Sequence, residues 1–192
     1  MKDKLKRMTD ALDGRVGYII ASQDGKVDIR NGEEQVFPSA SIIKLSVLWA
    51  VFRKVSDGEL SLTRMIPLRD RDIVGGYGVL QNIHPGVTLT VLDLCALMIH
   101  CSDNIAANFL IDLLGMEFIN EEIWACGMEK TILQRKMMDA AARERRLDNY
   151  TSPSDMVRLM RQYRDSGRIE PPLRKQMEEI LLGQLYNNFL AH

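Results

Sequence analysis

The sequence predicts an α+β fold: one β-hairpin near the N-terminus, then a chain that is almost entirely helical. Three observations carry that prediction. The run RVGYIIAS, the turn pair Asp24-Gly25 and the alternating KVDIR read together as a hairpin over residues 16–30. From Ser41 onward, IIKLSVLWAVFRKVSDG is apolar nearly all round at helical pitch, the pattern of a helix buried on every side. Beyond it, apolar residues recur at helical spacing between cap signals as far as about Leu182. A two-stranded hairpin is not stable alone. It must pack on helices or find further strands, so the sheet reads as unfinished.

Taken in order, the chain opens with an amphipathic helix on Leu5, Met8, Ala11 and Leu12, ending near Asp13-Gly14. After the hairpin, NGEEQVFPSA reads as loop. The buried helix that follows ends at Asp57-Gly58, where glycine suits the cap. A polar, glycine-punctuated segment runs through Gly75-Gly76 and His84-Pro85-Gly86. Thr90, with Asp93 three residues on, then opens a helix over VLDLCALMIHCS. A further helix runs from about Asn104 through IAANFLIDLLG to Gly115, and 116–130 holds a short one closed at Cys126-Gly127. Residues 131–150 contain helix formers but no clean apolar stripe. Ser152-Pro153 with Asp155 opens a helix through Tyr163, and Pro171-Pro172 opens the last, through about Leu182.

At 192 residues the chain suits a single domain, taken as 1–192, with a real core. Its composition, 46% hydrophobic and 27% charged, is ordinary for a globular protein. The formal net charge of −1 gives no electrostatic case for nucleic acid or an anionic membrane as the main partner. The cluster Lys2, Lys4, Lys6, Arg7 is broken by Asp3 and followed by Asp10, and reads as a solvated helix face. No apolar run follows it as a secretory signal would require, and no stretch is long enough for a membrane span. As written the sequence is that of a cytoplasmic protein; a secreted or periplasmic domain with its start trimmed would look the same. Cys95, Cys101 and Cys126 form no C-x-x-C pair and no even framework, so they read as small core hydrophobes. His84, His100 and His192 are scattered, and no metal site is indicated.

Two constellations carry chemistry. In Ser41-Ile42-Ile43-Lys44 one helical turn sets the Lys44 amine over the same face as the Ser41 hydroxyl. A serine hydroxyl becomes a competent nucleophile when something takes its proton, and a lysine can do so if burial depresses its pKa. The helix start also supplies a free backbone N–H at Ser41, usable as an oxyanion donor. A lysine at such an apolar helix start is costly to bury without a purpose. The second constellation, Ser102-Asp103-Asn104, lies between two helices. There a hydroxyl can relay a proton and an amide can bind a carbonyl, yet the same residues also serve as a simple N-cap cluster.

S-x-x-K and S-D-N are two of the three motifs shared by class A β-lactamases and penicillin-binding proteins, K-T-G being the third. The sequence resembles that family over nearly its whole length from about residue 10. FPSASIIKLSVLWAVF is similar to its nucleophile helix. DGELSL, GGYGVLQ and PGVTLTVLDLCALMIHCSDNIAANFLIDLLG are similar, in order and spacing, to its all-helical lobe. RKMMD through NYTSPSDM resembles its omega loop and the helix after it. The resemblance implies a β-lactamase/transpeptidase-like fold, the hairpin being part of an incomplete antiparallel sheet beside the helical lobe. It implies a serine acyl-enzyme that needs no metal or other cofactor: Ser41 attacks a β-lactam or D-alanyl amide carbonyl, Lys44 acts as base or electrostatic helper, Ser102 protonates the leaving nitrogen, and Asn104 holds the substrate's side-chain amide.

Two departures from the family pattern stand out. The deacylating glutamate is expected just after the omega-loop arginine, in an E-P-x-L-N context. Here Arg135 is followed by Lys136, Met137, Met138 and Asp139. Met137 occupies the glutamate's place, and Asp139, the nearest carboxylate and so the candidate deacylation base, is about two residues off. Arg135 with Asp148 or Asn149 also reads as a structural clamp on the loop's ends. Secondly, no K-T-G or K-S-G occurs, and the chain ends at LYNNFLAH, about where the strand bearing that motif is expected to begin. The unfinished sheet and the absent motif have one explanation, a C-terminally incomplete sequence. Three functions compete: a β-lactamase-type hydrolase, a penicillin-binding or D-alanyl-peptidase-like protein with slow deacylation, and a non-catalytic, sensor-like or degenerate domain.

Overall fold

The computed structural model describes residues 2–22 and 27–186. An N-terminal helix α1 (Lys2–Asp10) leads into the strands β1 (Tyr18–Ala21) and β2 (Val27–Asn31), which pair antiparallel with Tyr18 opposite Asn31 and Ile20 opposite Ile29. The expected hairpin is therefore present, while its turn, Asp24-Gly25, lies outside the described residues. α1 stops earlier than the expected Asp13-Gly14, and Met8 and Leu12 on its apolar stripe are exposed. The expected loop 31–40 contains a short strand, β3 (Phe37–Pro38). A 3₁₀ turn over Ala40–Ile42 then leads into α2 (Ile43–Ser56).

Two further short strands, β4 (Met65–Pro67) and β5 (Thr88–Thr90), pair antiparallel and bracket the glycine-punctuated segment. Then come α3 (Val91–His100), α4 (Asn104–Leu114), α5 (Met116–Ala125), the one-turn α6 (Ala140–Glu144), β6 (Tyr150–Thr151), α7 (Pro153–Asp165) and α8 (Pro171–Leu182). β6 pairs with β3, so the described residues hold three two-stranded sheets, and the hairpin rests on α7 through β1.

The caps read from the sequence form as their chemistry dictates. Thr90 Oγ1 accepts from the Asp93 N–H at 3.0 Å while Asp93 Oδ2 accepts from the Thr90 N–H at 2.8 Å, a reciprocal capping box. Ser152 Oγ caps α7 through the Asp155 N–H, with Pro153 in the first turn.

α2 is the axis of the core. Ile43, Val47, Leu48, Trp49, Ala50, Val51 and Phe52 are wholly buried against α3, α4, α5 and α8. Burying each large apolar side chain contributes roughly 1.5–3 kcal/mol, so the Ser41 end of α2 is anchored by the rest of the helix. All three cysteines are buried and free, as core hydrophobes should be.

Residues 131–139 lack an apolar stripe because asparagine side chains hold their backbone from outside. Asn120 accepts from the Leu133 N–H and donates to its carbonyl, both at 2.9 Å. Asn108 does the same for Met137, at 2.7 and 3.1 Å. Asn149 Oδ1 accepts from the N–H groups of Gln134 and Arg135, and its Nδ2 donates to the Arg135 carbonyl. Each amide replaces the neighbouring strand that would otherwise satisfy buried peptide groups. Among the described residues no helix is long and apolar enough to cross a membrane.

Candidate active site

The site begins at the turn before α2. The Ser39 N–H donates to the Asn149 carbonyl at 2.8 Å, which fixes the chain just ahead of the turn. Ala40 follows with a left-handed φ of 45°, a conformation that costs a non-glycine residue energy and recurs at functional sites. Ser41 is exposed, whereas Lys44, three residues on, is 2% exposed. The first turn of the helix thus delivers a hydroxyl to the surface and an amine to the interior.

The Lys44 amine gathers the groups that the sequence singled out. Its Nζ lies 3.3 Å from Ser41 Oγ, 3.0 Å from Ser102 Oγ, 2.6 Å from the Ser102 carbonyl oxygen and 2.8 Å from Asn104 Oδ1. The carbonyl and the amide oxygen can only accept, so they take two of the lysine N–H bonds. The remaining tetrahedral position faces the two hydroxyls. In the ammonium form it carries a hydrogen; in the neutral amine it is the lone pair, able to receive a hydroxyl proton. Ser102 offers both its oxygens to Lys44 from another left-handed backbone, φ 55°.

Burial pushes the Lys44 pKa down from 10.5 to about 8, against the charge of Asp103 and the Cys101 thiol, which hold it up. Desolvation disfavours the ammonium. The amine is therefore partly neutral near physiological pH, as a general base requires.

The loop over Gly75–Leu80 closes one side. The Asn104 N–H donates to the Tyr77 carbonyl at 3.0 Å, and Asn104 Nδ2 donates to the Gly75 carbonyl at 3.2 Å. The amide group carries two hydrogens, and this bond uses one of them. The glycines here are steric necessities. A Cβ on Gly76 (φ 91°) would fall 2.6 Å from Asn104 Nδ2, and one on Gly78 (φ 121°) would fall 2.3 Å from Asp103 Cγ.

On the omega-loop side, Met137 is 6% exposed and packs into the core, its backbone held by Asn108. Asp139 is the N-cap of α6, its Oδ1 accepting from the Ala142 N–H at 2.9 Å. The loop's ends are clamped: Arg135 Nη2 lies 2.7 Å from Asp148 Oδ1, beside the Asn149 bonds. The structure thus brings Ser41, Lys44, Ser102 and Asn104 together, while Asp139 makes its bond within its own helix.

Sequence reasoning did not assign Asp103, Asn108 or the loop glycines to the site. The signals were faint: Asn108 lies one turn after Asn104 on the same helix face, and Asp103 sits inside S-D-N. Among the described residues no group of His, Cys, Asp and Glu could hold a metal ion.

With this geometry in view, comparison with known proteins is decisive. The model of the family described as the beta-lactamase enzyme family matches residues 1–192. The chain belongs to that family. It is 28% identical over 183 residues to a beta-lactamase of Rhodobacter capsulatus, covering 93% of this chain and 61% of that protein. The chain therefore spans about three fifths of that curated relative's length. Among solved structures it is similar to a beta-lactamase from Sphaerobacter thermophilus (TM-score 0.88, 33% identity, 95% of this chain and 68% of the other). It is also similar to PBP-A (TM-score 0.85, 28% identity, 97% and 69%), a variant of which was solved as an acyl-enzyme complex with penicillin G. The β-lactamase/transpeptidase-like fold expected of this member is thereby established.

Proposed function

We propose that this chain is a serine hydrolase of the β-lactamase type that opens β-lactam rings through an acyl-enzyme on Ser41. As Ser41 Oγ bonds to the ring carbonyl carbon, its proton passes to the neutral Lys44 amine. The ring C–N bond then breaks. Ser102 Oγ gives its proton to the leaving nitrogen and is reprotonated from Lys44, 3.0 Å away. Water later attacks the ester and restores Ser41. The free hydrogen of the Asn104 amide suits the carbonyl of the substrate's acyl side chain. The single observation that carries this reading is the Lys44 amine in reach of both hydroxyls, 3.3 and 3.0 Å. The acyl-enzyme solved for a penicillin-binding relative supports it.

The test is intact-mass analysis after incubation with benzylpenicillin. An adduct on the peptide containing Ser41, absent from Ser41→Ala, is expected. No adduct and no nitrocefin turnover would refute it.

One observation favours a second reading, a penicillin-binding or D-alanyl-peptidase-like protein with slow deacylation. A core methionine stands at the expected position of the water-activating carboxylate, and Asp139 is engaged as a helix cap. A nitrocefin burst followed by turnover limited by decay of the adduct identifies that behaviour; steady turnover without an accumulating adduct identifies the first.

A further inference from the structure

Among the described methionines four are exposed: Met8, Met65, Met138 and Met160. Of these only Met138 stands at the site. It is 55% exposed and holds a left-handed φ of 64°, a conformation uncommon outside glycine. Its neighbours impose that conformation. Asn108 holds both the N–H and the carbonyl of Met137, and Asp139 is committed as the N-cap of α6. The omega loop therefore presents a thioether to solvent at a bend that would suit glycine.

The side chain crosses to the glycine loop. A Cβ on Gly76 would meet Met138 Sδ at 3.1 Å and Cε at 3.6 Å, and the same atom would fall 2.6 Å from Asn104 Nδ2. Sulfur and amide nitrogen thus border one small space, left open because residue 76 has no side chain. A thioether is a weak acceptor and makes little claim on that amide. A sulfoxide is polar and carries a strong acceptor oxygen. The Asn104 amide has two hydrogens, of which its bond to the Gly75 carbonyl uses one. An oxygen added to Sδ toward that space meets the amide directly.

We propose that Met138 is a site of reversible oxidation by hydroperoxides, and that the sulfoxide oxygen engages the Asn104 amide and slows acylation. In the step, a sulfur lone pair takes the terminal oxygen of the peroxide as the O–O bond breaks. Sulfur is oxidised by two electrons, and the peroxide is reduced to water, or to an alcohol if it is organic. Methionine sulfoxide reductases reverse the change. The kinetic part rests on the reading of Ser41 as nucleophile and of Asn104 as the ligand of the substrate's side chain.

Hydrogen peroxide is the probe. Peptide mass mapping gives the sulfoxide fraction at each methionine, and acylation by benzylpenicillin is timed on the same samples. At full conversion the rate should fall roughly 2–10-fold, the contribution of one hydrogen bond. The fall should track Met138 rather than Met8, Met65 or Met160, and reverse after treatment with methionine sulfoxide reductases, which do not act on cysteine. Met138→Leu should lose nothing to peroxide relative to its own untreated sample. Met138→Gln, which carries a fixed carbonyl oxygen of similar reach, should acylate slowly without any peroxide. Equal sensitivity in Met138→Leu, native acylation by Met138→Gln, or a Met138 left reduced while Met65 is oxidised overturns the proposal. Nitrogen-15 spectra of the native chain without β-lactam must show the Asn104 side-chain amide shifting as the sulfoxide forms, and an unmoved resonance overturns it as well. If the native chain does not acylate, the reading of Ser41 fails, while the mapping and these spectra still decide whether Met138 is oxidised onto the Asn104 amide.

Discussion

Replacing Lys44 with methionine should change how stability depends on pH, by an amount that follows from its burial. The native-state pKa is about 8 and the ordinary value 10.5. The loss of about 2.5 pH units, at about 1.36 kcal/mol each, amounts to about 3 kcal/mol. The sign is fixed by linkage. Below pH 8 the lysine is protonated in both states, and the folded state carries the full cost of a desolvated ammonium. Between 8 and 10.5 the unfolded chain keeps the proton that the native chain has released, so stability rises with pH. Above that range the penalty is gone.

Methionine has no such term. It leaves the Ser102 carbonyl and Asn104 Oδ1 without their partner, but that cost is independent of pH and drops out of the comparison. Urea unfolding of the native chain and Lys44→Met, followed by circular dichroism from neutral pH to about 11, gives the difference directly. The native chain should gain about 3 kcal/mol relative to the variant across this range. A flat difference would show that Lys44 titrates as an ordinary lysine. The argument for a base at this position would then fail.

Two other substitutions test the omega-loop side. Met137→Glu puts a carboxylate where the family pattern expects one, in surroundings that leave Met137 6% exposed. It should cost stability yet shorten the acyl-adduct lifetime by about 10²-fold or more; an unchanged lifetime in a folded variant would show that this side chain does not face the acyl group. Asp148→Ala removes the Arg135 partner and should cost about 1–3 kcal/mol, with faster proteolysis between 136 and 147. Burial pushes the Asp148 carboxyl up, but the Asn149 N–H and the Arg135 and Arg143 guanidinium groups outweigh it and hold the pKa below 3.8. The clamp's contribution is therefore complete above that pH and disappears as pH falls through the folded-state value, and melting curves of the two chains should converge there.

The parts of the fold that were legible are those written in local pattern. α2 was plain because its apolar residues leave no polar face, and α3 and α7 because Thr90 and Ser152 announce their first turns. The paired strands β3–β6 and β4–β5 were not, since strands of two or three residues show no alternation and their partners are far away in sequence. The same reason hid the support of the site. S-x-x-K and S-D-N name the groups that meet at Lys44, but nothing local to Asn108 says that it holds Met137. Nothing local to Asp103 says that it holds Val79. Asn104 illustrates the overlap: it opens α4, as a cap cluster would, and bonds Lys44, as a functional residue would. The motif's cap geometry and its contact with Lys44 thus occupy the same three residues.

Ser102 shows what that overlap costs, and how to measure it. Its φ of 55° is a glycine's conformation, and holding serine there disfavours the fold by about 1 kcal/mol or more. The backbone bend presents its carbonyl to Lys44 at 2.6 Å, while the side chain presents Oγ at 3.0 Å. Glycine can keep the first bond, relieve the strain and lose only the second; alanine loses the hydroxyl and keeps the strain. Ser102→Gly should therefore melt higher than Ser102→Ala, by an amount equivalent to about 1 kcal/mol. Both should acylate about 10²–10⁴-fold more slowly than the native chain, since both lack the hydroxyl proposed to relay the proton. Equal melting temperatures would show that the bend is unstrained, and native acylation by either variant would remove Ser102 from the chemistry. The expected pattern, a glycine variant more stable than the alanine one and equally slow to acylate, would mean that serine is kept at this bend for its hydroxyl despite the strain.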